Sequence, residues 1–61
     1  MKFTTAEKLE EIEREIAARR RIYPNRVHTG RLNAARALLQ LDCMREIAED
    51  YRQQLEKERL L

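Results

Sequence analysis

Apolar residues recur along this chain at the spacing of two helices. Leu9, Ile12, Ile16, Arg19 and Tyr23 follow one another at steps of 3, 4, 3 and 4, forming one narrow stripe. A second stripe, Ala34, Ala37, Leu41, Met44, Ala48, Tyr51 and Leu55, keeps that rhythm over three heptads, and Leu38 and Ile47 widen it. Sustained 3-4 spacing suits left-handed bundle packing, and the alanines allow close approach of the first helix at the basic end.

The polar residues mark where each helix begins and ends. Thr4-Thr5-Ala6-Glu7 matches the capping box, in which the Thr4 hydroxyl and the Glu7 carboxylate each satisfy an orphan backbone N–H. Glu10–Arg14 and Glu15–Arg19 are i,i+4 pairs in the favourable order. Acids crowd the first turns, and Arg19, Arg20 and Arg21 occupy the last. Pro24 disfavours helical geometry at Tyr23, so the first helix is expected over about residues 5–22. Pro24 then opens, and Gly30 closes, a short turn over about residues 24–29, with Ile22, Tyr23, Val27 and Leu32 as its apolar plug. Asn33 is the natural N-cap of a second helix running, without Gly or Pro, over about residues 34–59. The fold class is therefore all-α, a two-helix antiparallel hairpin forming a single domain over residues 1–61.

The expected helices are unequal, roughly 27 Å against 39 Å. The last turns of the second helix, with Leu55, Leu60 and Leu61, are thus expected to lack an intramolecular partner. Leu32, Leu39 and Cys43 form a further apolar line on nearly the opposite side from Leu41. Leu32, Leu39, Cys43 and Leu55 are accordingly the candidate self-association residues, and a two-fold antiparallel four-helix dimer is the simplest assembly.

Composition narrows the class. A chain of 61 residues with one cysteine has no internal disulfide, and small scaffolds without disulfide or metal gain their missing core by association. The longest apolar runs span three residues, which excludes a membrane span, and the first residues do not read as a signal-peptide core. A reducing, cytoplasmic setting is expected. The net charge of +2 conceals a polarity: residues 16–41 hold six arginines and no acid, and the flanking stretches hold all eleven acids. Folding back at the turn gathers the arginines at one pole and the acids towards the other.

The string RRRIYPNRVHTGRLNAARALLQLDCMREIAEDYR resembles a group of small uncharacterised proteins from proteobacterial phages and prophages. The matching residues are Arg19, Arg20, Arg21, Tyr23, Pro24, Val27, Gly30, Arg31 and Leu32, then Met44, Ile47, Ala48, Asp50 and Tyr51. The resemblance covers about half the chain; Asn33 stands where the group has a Thr cap, and 37–41 is more apolar than the group's charged segment. It implies a helical hairpin of phage origin in a bacterial host cell, and no established activity.

The candidate chemistry lies at the turn. Arg20, Arg21, Tyr23, Arg26 and Arg31 form the candidate interaction surface, where arginines can pair with phosphates and Tyr23 can stack on an unpaired base. The competing reading is a solvated helix end complementing the macrodipole, with Arg19 pairing across the hairpin to Asp42 or Glu46. A charge of +2 is modest for a nucleic-acid binder. His28 reads as a surface residue and Cys43 as a small apolar one. With no triad, phosphate loop or metal-ligand cluster, no catalytic, cofactor or metal site is expected. The sequence points to a non-enzymatic accessory protein acting through a phage or host protein partner, with nucleic-acid binding as the alternative.

Overall fold

The computed structural model describes residues 2–61 as two antiparallel helices, α1 (Thr5–His28) and α2 (Ala34–Leu60), joined through residues 29–33. Both N-terminal caps form as their residue types require. At α1 the Glu7 N–H donates to Thr4 Oγ1 at 3.1 Å and the Thr4 N–H donates to Glu7 Oε1 at 3.0 Å, a closed capping box. At α2 Asn33 Oδ1 accepts from the N–H groups of Ala35 at 2.9 Å and Arg36 at 3.2 Å.

The C-terminus of α1 differs from the sequence expectation. The helix does not stop near residue 22, and no separate turn occupies 24–29; α1 runs through Pro24 to His28. Proline removes one N–H from the ladder, leaving the Arg20 carbonyl without its i+4 donor, yet its bias on the preceding residue is a preference and not a prohibition. Two downstream features outweigh it. Tyr23 and Val27, four apart, continue the inward stripe. Gly30 then closes the helix by the Schellman pattern: at φ +76° it directs its N–H to the Val27 carbonyl at 3.1 Å and the Arg31 N–H to the Arg26 carbonyl at 2.9 Å. Gly30 thus ends α1 itself.

A β-carbon on Gly30 would meet no atom within 4 Å, so the requirement there is purely backbone. Gly30→Ala is expected to cost about 1 kcal/mol, and Gly30→Asn less, because Asn tolerates left-handed geometry. Urea midpoints of the two variants check the order; a neutral alanine would contradict it.

Extending α1 also nearly equalises the helices, 24 residues against 27. The closing turns of α2 are therefore partnered, contrary to expectation: the Thr5 hydroxyl donates to Glu58 Oε2 at 2.6 Å across the open end, and Leu55 is half-buried. Of the leucines at this end of α2, Leu60 and Leu61 remain exposed.

The core follows the two stripes. Tyr23, Ala37, Met44 and Ala48 are buried, flanked by half-buried Leu9, Ile12, Ile16, Val27, Leu41, Tyr51 and Leu55. Ala48 has no exposed surface at all, so α1 rests directly on its methyl group. Ala34 is the exception in the stripe and stays exposed. Among the described residues no large side chain is fully buried. Two helices side by side make a rod of 48 × 18 × 17 Å, with a radius of gyration of 14.3 Å. A compact domain of this length would have about 10.5 Å.

Candidate functional site

Helical spacing brings Arg19 and Tyr23 one turn apart on the inward face of α1 near the basic end. The Tyr23 hydroxyl donates to Gln40 Oε1 on α2 at 2.7 Å and accepts from Arg19 Nη1 at 3.1 Å, and Arg19 Nε donates to Glu15 Oε1 at 2.7 Å. This chain Glu15–Arg19–Tyr23–Gln40 is what permits a tyrosine with only 6% of its surface exposed, since a buried phenol needs a partner for its hydroxyl. The Glu15 carboxylate and then the Tyr23 oxygen hold Arg19 more firmly protonated than an ordinary guanidinium.

Two sequence readings are corrected here. Tyr23 is a core residue, and its ring is not presented to a base. Arg19 pairs within its own helix and to Tyr23, not with Asp42 or Glu46; Asp42 instead pairs with Arg45 at 3.4 Å. Gln40 was overlooked as a partner. Its signal was a lone amide beside the apolar stripe of α2, at a level where α1 supplies a tyrosine. Likewise Arg14 pairs with Glu11, one turn back, in place of Glu10.

The remaining members of the basic corner behave differently. Arg20, Arg21, Arg26 and Arg31 are exposed, as is Arg36, and none of the five has an ion pair among the described residues. They spread round the end of the rod, over two turns of α1, the connection and the first turn of α2. His28 is exposed beside them.

The candidate self-association residues do not form one surface. Leu32 lies in the connection and is half-buried, and Leu55 faces α1. Leu39, 68% exposed, and the free thiol of Cys43 are left as a small outer patch. A groove runs along one edge of the α1–α2 contact, apolar near the corner and bordered by charged residues towards mid-rod. Pro24, Val27, Leu38 and Leu41 line it near the corner, and Ile16 and Ala17 continue it towards Glu13 and Arg52. Leu38 is 58% exposed there. On the opposite edge a shorter depression holds Ile12, Ile47 and Tyr51 among Lys8, Glu11 and Glu15. At the corner end of that edge lies the polar chain through Arg19 and Gln40.

At the open end two carboxylates are held in their charged form. The Thr4 backbone N–H, and then the Thr4 hydroxyl, lower the pKa of Glu7 below its ordinary value of 4.5. The Thr5 hydroxyl, and then the Gln54 amide, do the same for Glu58. A carboxyl with a lowered folded pKa contributes stability above its ordinary value and loses it as pH falls through the folded one. Acidification from about pH 5 to about pH 3 is therefore expected to lower the melting midpoint, and a Glu7→Gln/Glu58→Gln variant is expected to show a shallower fall. Circular-dichroism melts across that range test this, and equal slopes would contradict it.

Among the described residues no group of three or more His, Cys, Asp or Glu side chains is placed to hold a metal ion, and no helix is long and apolar enough to cross a membrane. Comparison with protein-family models, with curated proteins and with solved structures finds no match to the chain.

Proposed function

We propose that this chain is a non-enzymatic, phage-type accessory protein that works by protein–protein association, with self-association as its first step. The observation that carries this reading is surface area. The hairpin exposes 5253 Å² for a mass of 7.4 kDa. A folded monomer of that mass exposes about 4,200 Å², so the surplus is roughly 1,000 Å². A standard protein–protein interface covers about 800 Å² on each partner. One hairpin thus leaves uncovered about as much surface as one interface hides, much of it apolar, and a partner protein in the phage or its host would occupy what self-association leaves free.

Light scattering on a size-exclusion column, with reductant to keep Cys43 free, tests the first step. A mass near twice 7.4 kDa is expected, falling on dilution. A cooperatively folded monomer at every concentration would overturn the proposal.

A second reading has one specific observation in its favour, the five exposed arginines that lack acidic partners. It makes the corner a phosphate-binding surface, with two such corners bridging nucleic-acid strands in a dimer. Anisotropy titrations with single- and double-stranded DNA and RNA test it. Salt-sensitive binding is the expected result, and no binding below about tens of micromolar at low salt rejects it.

A further inference from the structure

We propose that two copies pair antiparallel through the edge carrying Pro24 and Leu38, in a register set by Arg20 against Glu13 of the second copy. The inference rests on the self-association proposed above and specifies its face, direction and alignment. Three observations support it.

The first is the difference between the two edges of the hairpin. Near the corner the Pro24 edge is apolar, lined by Pro24, Val27, Leu38 and Leu41, and charged residues border it only towards mid-rod, whereas the Ile47 edge is occupied near the corner by the Glu15–Arg19–Tyr23–Gln40 chain. Covering that chain would desolvate a carboxylate and a guanidinium that now keep contact with water; covering Leu38, Pro24 and Val27 removes apolar surface.

The second is internal register. Two cross-hairpin hydrogen bonds, Thr5–Glu58 and Tyr23–Gln40, both join residues whose numbers sum to 63, and the Arg52–Glu13 ion pair lies within two residues of that register. The mid-level of the rod therefore lies between Ile16 and Ala17 on α1 and close to Ile47 on α2. A two-fold axis crossing the rod at that level brings α1 over α1 and α2 over α2. It places Arg20 at the level of Glu13, Arg45 within one residue of the level of Glu49, and Pro24 at that of Leu9.

The third is charge. Those four charged residues border the same edge together with Arg52, which pairs within its own hairpin to Glu13 at 3.5 Å and to Glu49 at 3.1 Å, so that the group of three keeps one net negative charge. In the crossed arrangement Arg20 and Arg45 of one copy face that group in the other. With the axis turned along the rod, so that both corners share one end, Arg20 would meet Arg45 and Glu13 would meet Glu49. Like charges facing one another select against that assembly. At longer range the basic corner of each copy lies over the acid-rich open end of the other, which favours the same direction.

Single-cysteine variants in a Cys43→Ser background test the face. Ala17→Cys lies beside the proposed axis, and Ile47→Cys lies at the same level on the other edge. A short bis-maleimide is expected to crosslink Ala17→Cys into dimers and to leave Ile47→Cys largely uncrosslinked. Arg20→Glu is expected to weaken the dimer about tenfold, and adding Glu13→Arg to restore it to within about threefold. A dimeric protein that crosslinks through Ile47→Cys, through both positions alike or through neither overturns this arrangement and leaves self-association standing. So does a dimer whose affinity Arg20→Glu does not change. A monomeric Cys43→Ser parent overturns both.

Discussion

Ala48→Leu is expected to destabilise the hairpin by about 3 kcal/mol. Among the described residues Ala48 alone has no exposed surface, and it lies at the contact of α1 on α2. A leucine has no room to turn outward, so its three extra carbons must push the helices apart over the neighbouring Met44 and Tyr51. The total stability of a 61-residue domain is only about 3–9 kcal/mol, so the loss is a third of it at least. Ala35→Leu, on the exposed outer side of α2, serves as the control and is expected to stay within about 0.5 kcal/mol of the parent. Urea titrations followed at 222 nm, at one fixed protein concentration, measure both. An Ala48→Leu midpoint equal to that of the parent would show that the helices are not in contact there.

Pro24→Ala is expected to act in the opposite direction, stabilising the fold by about 2 kcal/mol. A proline inside a helix is about 3 kcal/mol less favourable than alanine, because the ladder lacks one hydrogen bond and the ring crowds the preceding turn. Up to about 1 kcal/mol of that gain is offset, since alanine frees the unfolded chain. The side chain of Pro24 is exposed, so little packing is lost within the hairpin. Thermal melts at two protein concentrations separate the change in the hairpin from any change in pairing. A lower melting temperature at both concentrations would mean that the rigid ring holds the corner in place more strongly than the missing hydrogen bond weakens it.

The two substitutions probe opposite kinds of information. The close approach was expected at the basic end, where Ala34 stays exposed, but the place of Ala48 on the inward stripe was readable in advance from its 3-4 spacing. The course of the chain through Pro24 was not, because a local rule about the residue before proline competes with burial of Tyr23 and with the closure at Gly30. The latter two depend on α2 being in place. A window of a few residues contains the penalty and not its compensation.

The consequence of that one boundary is large. With α1 ending near residue 22, the last turns of α2 would have stood free, and Leu55 would have been a docking residue. With α1 ending at His28 the helices are nearly flush, Thr5 reaches Glu58, and Leu55 packs inside the hairpin. The uncovered apolar surface moves from the tip of α2 to the edge beside Pro24 and Leu38.

The sequence by itself determined both helices, both N-caps, the left-handed glycine and the separation of arginines from acids, because each depends on residues a few positions apart and on the helical period. Only the tertiary structure decided which residues shared the basic corner's interior and which its surface. Tyr23 went inward because α2 supplies Gln40 at its level, while Arg20, Arg21, Arg26 and Arg31 stayed exposed with no ion pair among the described residues. It also decided which edge of the hairpin carries the polar chain through Arg19 and Gln40 and which the groove beside Pro24 and Leu38. That distinction arises from the rotation of one helix against the other, and rotation is set by packing Ala37, Met44 and Ala48 beneath α1, through contacts between residues far apart in the chain.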